Sequence, residues 1–145
     1  MSKKVIDSLK ALLADNYTLY LKTQNFHWNV TGPNFQSLHL LFEAQYTDLF
    51  AANDLIAERI RALGSKAPGS FKEFSALATI KEASGNYTQK QMLAELIKDQ
   101  GLMIKTLKKV TKAANEAEDE VTDSLATDRI EVQEKNRWML EASAG

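Results

Sequence analysis

The chain has 145 residues, 44% of them hydrophobic and 26% charged, with a formal net charge of −1; this suffices for one domain, residues 1–145, with a buried core. A pI near 6.1 makes nucleic acid no obvious partner. Without cysteine there are no disulfides or thiolate metal sites, so any transition-metal site must use imidazole and carboxylate.

The first ten residues, MSKKVIDSLK, have two lysines but no continuous apolar segment and no small-residue cleavage site, so no signal peptide is expected. No apolar run approaches membrane-spanning length, and a cytoplasmic location is expected. From Lys3 to about Val30 apolar residues recur at helical spacing. Leu9, Leu13, Tyr20 and His27 share one stripe at about 100° per residue, so His27 points toward the core side. Thr31-Gly32-Pro33 breaks this helix. A second helix is predicted from about Asn34 to Leu63, closed by Gly64 just past its end. After a linker at Ser65–Gly69, a short amphipathic stretch, Phe71–Leu77, lies within a longer connection reaching Asn86. Thr88-Gln-Lys-Gln91 reads as a capping box for a third long helix to about Ala114. The last helix runs from about Glu120 to Ala142, and Trp138 on it is read as a packing residue. Together these predict an all-α four-helix bundle with a short extra helix between the second and third long helices. That connection is long enough to carry the chain from one end of the bundle to the other.

His27 and His39 are the only histidines. Bundles that bind two metals usually carry Glu-x-x-His; here Gln24 and Gln36 stand three residues before the histidines, so a di-iron site inside one subunit is not expected. The second helix offers a different pattern. His39 and Glu43 are four apart, as are Asp54 and Glu58, and all four fall within about 100° of its circumference. Asp54 nevertheless lies roughly 22 Å beyond His39 along the axis, and Glu58 about 28 Å, at the helical rise per residue. The pairs 39/58 and 43/54 share one midpoint, between Asp48 and Leu49. If two copies of this helix pack antiparallel about a two-fold axis there, His39 of one chain faces Glu58 of the other, and Glu43 faces Asp54. Tyr46, Thr47 and Phe50 would form the packed seam between two equivalent sites, and His27 could complete each site. Such donors suit iron, with manganese or zinc as substitutes. A plain alternative stays open: helix-end histidines that cap or hydrogen-bond, and an Asp54/Glu58/Arg59 face held by local salt bridges.

At these residues the chain resembles the Dps family of miniature ferritins. His27-Trp-Asn-Val-Thr-Gly32, then Leu38-His39 and an acid at Glu43, is similar to the family's first signature; Asp54-Leu-Ile-Ala-Glu58-Arg59 with Leu63-Gly64 is similar to its second. Asn53 stands where the family is usually apolar, and Glu43 where many members have Asp. The resemblance spans essentially the whole chain. It implies a ferritin-like bundle, twelve of which form a hollow shell with ferroxidase centres at two-fold interfaces. There two Fe(II) per site are oxidised, preferentially by hydrogen peroxide, and stored as ferric mineral. By the same resemblance His27, His39, Asp54 and Glu58 are ligands, and Glu43 is a ligand or an acceptor that orients them. Trp28 would either relay a stray oxidising equivalent or pack at the interface. Asp119, Glu120 and Asp123, in an acidic run with Glu116, would line an iron-admitting pore at a three-fold axis or favour the helix dipole. Some relatives bind DNA through lysine-rich tails. Here only Lys3 and Lys4 precede the first helix, and Lys105, Lys108, Lys109 and Lys112 read as a solvated face, so DNA binding is doubtful and a non-catalytic DNA-coating protein is the competing reading.

Overall fold

The computed structural model describes residues 2–145. Its helices are α1 (Lys3–Asn29), α2 (Phe35–Ala62), the short α3 (Phe71–Leu77), α4 (Gln89–Glu116) and α5 (Glu120–Ala144). The predicted bundle and its extra helix are therefore present, with long-helix ends within about two residues of expectation. Ser2 caps α1, and Thr88 and Gln91 form the reciprocal capping box of α4. At the first turn Gly32 has φ +113, and a Cβ there would come within 2.9 Å of the Gln89 side-chain amide. The turn thus needs glycine for its positive φ, whereas the flexible Gln89 side chain could move aside for a Cβ. Gly64, at φ +92, ends α2 as expected.

α1 pairs with α2 and α4 with α5 as two hairpins, and the hairpins meet chiefly through α1 and α4. Leu9, Leu12, Leu19 and Phe26 of α1 pack with Phe42, Leu49 and Ile56 of α2 and with Leu96, Met103 and Leu107 of α4, all essentially inaccessible. Residues 63–88 run the length of the bundle, because α2 ends far from the point where α4 begins beside Phe26, whose ring meets Tyr87 at 5.2 Å. α5 faces α2 with polar side chains. Gln45 donates to the Asn136 carbonyl at 3.3 Å, and Arg129 grips Asp48 through two bonds of 3.0 and 2.7 Å. Trp138, expected to pack, is largely exposed on the single chain at 63%.

Two charged residues of α1, one heptad apart on the same side of the helix, hold the long connection. The buried Asp15 carboxylate accepts from the backbone N–H of Thr79 (2.7 Å) and of Ile80 (3.0 Å), and from the hydroxyls of Thr79 (2.9 Å) and Thr106 (2.7 Å). Lys22 donates to the Lys81 carbonyl at 3.0 Å and pairs with Glu95 at 3.0 Å and Asp99 at 2.8 Å on α4. Burial disfavours both charges of the Lys22–Asp99 pair. Lys22 faces two carboxylates, which outweigh burial and hold its ammonium above the ordinary range; Asp99 has one cation near it, and burial pushes its carboxyl up.

Asp15→Ala would strand these four donors, two of them backbone groups. Hydrogen bonds to a charged acceptor are worth roughly 1.5–3 kcal/mol each, and the losses at one site overlap. The expected destabilisation is about 3 kcal/mol or more, read as a lowered urea midpoint with native helix content retained at zero denaturant.

Candidate metal centre

His27 lies in the last turn of α1 and His39 in the second turn of α2, on either side of the tight turn. The turn brings the rings together, stacked at 3.8 Å between centroids and 12° between planes. Phe35, one turn before His39, also stacks on the His39 ring, at 5.0 Å between centroids. Tyr46 meets His27 edge-on at 5.1 Å.

Each histidine is held by the other's backbone. His27 Nδ1 lies 2.7 Å from the His39 carbonyl oxygen, and His39 Nδ1 lies 2.7 Å from the His27 carbonyl oxygen. A carbonyl only accepts, so both Nδ1 atoms carry hydrogen. That fixes the tautomer and leaves both Nε2 lone pairs for a metal. Glu43, one turn beyond His39, places Oε1 4.0 Å from His27 Nε2. Donor atoms of His27, His39 and Glu43 all lie within 4.8 Å of one another, a span that a single ion can bridge. His27 is buried, His39 half-buried and Glu43 exposed, so the cluster opens outward from the bundle.

Asp54 and Glu58 do not join this cluster within the chain. Both are exposed near the other end of α2, and Asp54 borders a cleft that it shares with Asn53, Tyr17 and Phe71. The face of α2 between the two groups points away from the bundle and carries Leu40, Ala44, Thr47, Phe50 and Leu55, all exposed on the single chain. A helix face this apolar is unusual where it meets only water. Trp28, next to His27 in sequence, points elsewhere; it is 63% exposed and borders a separate cleft with Leu21 and Phe71. Phe35, four residues before His39, was given no role from the sequence, and Tyr46, expected in the packed seam, meets the His27 ring.

The alternative of a locally salt-bridged Asp54/Glu58/Arg59 face does not describe Arg59. Arg59 reaches α5, donating to the Thr122 hydroxyl at 3.0 Å and to Asp119 at 3.0 Å. Asp119 is the N-cap of α5, and both its oxygens are engaged: one accepts from the Thr122 N–H, the other from the Thr122 hydroxyl. Burial raises its pKa, but the Thr122 bonds and the Arg59 charge outweigh that and hold the carboxyl below its ordinary range. Glu120 and Asp123 occupy the first turn beside it, whereas Glu116 is the last residue of α4. Asn53, at the usually apolar position, is buried and accepts from Asn16 at 2.7 Å. Among the described residues no helix is long and apolar enough to cross a membrane.

The family model for a ferritin-like domain matches residues 6–145. A protein from Bacillus anthracis named DNA protection during starvation protein 2 is 39% identical over 142 residues, covering 98% of this chain and 97% of that one. Among solved structures, Dps from Staphylococcus aureus superposes with a TM-score of 0.96 at 33% identity, covering 99% of this chain and 97% of the other. The Dps protein of Vibrio cholerae O1, described as a member of a broad superfamily of ferritin-like diiron-carboxylate proteins, gives 0.94 at 34% identity over 99% and 90%.

A depressed carboxyl pKa contributes stability that is complete above its unfolded value, near 3.8 for Asp119, and is lost as pH falls through the lower folded value. Asp119→Asn keeps a capping acceptor but removes the charge. The variant is expected to lose less of its thermal midpoint than wild type on going from about pH 5 to about pH 3.

Proposed function

The chain belongs to the Dps branch of the ferritin-like family, and from that premise we propose that it is an iron-storing ferroxidase whose sites are shared between two subunits. The observation that carries this is the half-site of His27, His39 and Glu43. Its two Nε2 atoms are free, and it sits at one end of an outward, apolar helix face whose other end carries Asp54 and Glu58. Two such faces packed antiparallel about a two-fold axis complete each imidazole half with a partner's carboxylate half. Two Fe(II) held together deliver two electrons to one hydrogen peroxide, which is reduced to water and hydroxide without releasing hydroxyl radical. Oxygen is the slower oxidant. The carboxylates offset the charge gained as Fe(II) becomes Fe(III). His27, His39, Asp54 and Glu58 bind iron, and Glu43 binds it or orients a neighbour.

In this reading the dimers assemble into a hollow dodecamer in the cytoplasm, with ferric mineral inside. Asp119, Glu120 and Asp123 stand at three-fold openings where negative charge concentrates Fe(II). Because Arg59 already offsets Asp119, Glu120 and Asp123 carry most of that field.

Shared sites predict complementation. His39→Ala and Asp54→Ala proteins each lose rapid peroxide-dependent iron oxidation in stopped-flow absorbance. In a co-assembled mixture, half of the dimers pair one variant with the other. Each mixed dimer has one site with both lesions and one intact site, so about a quarter of wild-type activity returns. No recovery in a mixture shown by mass spectrometry to contain mixed dimers would reject a shared site.

A further inference from the structure

Three of the four tyrosines form one chain of rings that starts at the histidine pair. Tyr46 on α2 meets His27 edge-on at 5.1 Å between centroids. Tyr46 lies 6.1 Å from Tyr20, and Tyr20 lies 5.3 Å from Tyr17, one turn earlier on α1. Tyr17 stacks on Phe74 at 4.9 Å and borders the cleft that also holds Asp54. Each separation is within ordinary aromatic contact distance, and all three tyrosines are partly buried. The chain of rings therefore runs from the imidazole end of one subunit to its carboxylate end. With sites shared across a two-fold axis, those ends belong to two different iron sites.

We infer that Tyr46, Tyr20 and Tyr17 form a one-electron relay joining the two ferroxidase sites of a dimer, so that two sites holding one Fe(II) each can share one peroxide. The inference rests on the shared-site reading above. Three features favour tyrosine for this task. A phenol is the most readily oxidised side chain in this cluster, it regains its proton on reduction, and the neighbouring Phe50 and Phe74 rings cannot be oxidised in its place.

The electrons balance as follows. A lone Fe(II) gives one electron to peroxide, the O–O bond breaks, and one oxygen leaves as hydroxide. The hydroxyl equivalent left at the site takes the second electron from Tyr46 through the His27 ring and becomes a second hydroxide. The Tyr46 phenol proton neutralises one of these hydroxides to water, leaving Fe(III) and a tyrosyl radical. Tyr20 and then Tyr17 pass an electron and a proton back along the chain. Fe(II) at the second site reduces the Tyr17 radical, which takes up a proton. In sum two Fe(II), one peroxide and one proton give two Fe(III), one water and one hydroxide. Tyr46 meets the His27 ring edge-on, so it acts through the imidazole as a relay and not as a ligand.

The test uses the assembled protein loaded anaerobically with one Fe(II) for every two sites, so that a radical formed at one site has no iron at the other to reduce it. Peroxide is added, followed by freeze-quench electron paramagnetic resonance and, in parallel, spin trapping of hydroxyl radical. Wild type and the control Tyr87→Phe are expected to give a tyrosyl signal and little trapped hydroxyl radical. Tyr46→Phe, which keeps the ring, is expected to lose the signal and release several-fold more trapped radical. Tyr20→Phe should give a signal confined to Tyr46. An undiminished signal and unchanged trapping in Tyr46→Phe would overturn the relay, as would a tryptophan signal in every protein. Wild type loaded with two Fe(II) per site separates the two readings. Failure to oxidise iron rapidly there rejects the ferroxidase itself, whereas rapid oxidation with no effect of Tyr46→Phe at low loading rejects only the relay.

Discussion

The rise of a straight α-helix is the constraint behind the whole site. At about 1.5 Å per residue, the histidine and carboxylate ends of α2 cannot meet within one chain. On the proposed shared-site reading, a single subunit therefore presents only half of a coordination sphere at each end of an outward face. The architecture follows from this limit. The tight turn at Gly32 brings His27 to His39, and the two hairpins leave the opposite face of α2 free of the bundle. Leu40, Phe50 and Leu55 lie exposed on that face, and in the proposed dimer their burial would favour association with a second copy.

Much of the fold was legible because its signals are local. Helical periodicity, the Gly32-Pro33 break, Gly64 and the Thr88–Gln91 capping box each act within a few residues of themselves, and each appears in place. The separation of Asp54 and Glu58 from the histidines was legible for the same reason, since it depends only on helical rise. The reciprocal bonds that fix both imidazoles were not, because they depend on ring rotamers and on the path of the turn. Arg59 read equally well as a partner of its own helix, and only the packing of α5 against α2 shows that it pairs with the N-cap residue of another helix.

Asp15 and Lys22 show where sequence reasoning runs out. By residue type they belong on the wet side of a helix. Here they are buried, and their partners lie 59 to 91 residues away in sequence. Nothing in the local pattern distinguishes a solvated acid from one that gathers four donors. The physical need arises only once the connection crosses the bundle, because its backbone N–H groups lose water there and must find acceptors. Trp138 is the converse case: large and apolar by type, it finds no cover from its own chain.

In the proposed two-fold dimer, the bidentate grip of Arg129 on Asp48 takes on a meaning set by symmetry. A residue near a two-fold axis has its own duplicate as a neighbour, so an acid placed there confronts an identical acid. Unpaired, two Asp48 carboxylates at the midpoint of α2 would repel across the seam of the proposed dimer. In that dimer the guanidinium from α5 would bring each subunit to the seam with that charge already offset. The last helix, which contributes little to the apolar core, would thereby make the middle of α2 electrically quiet enough to meet its own copy.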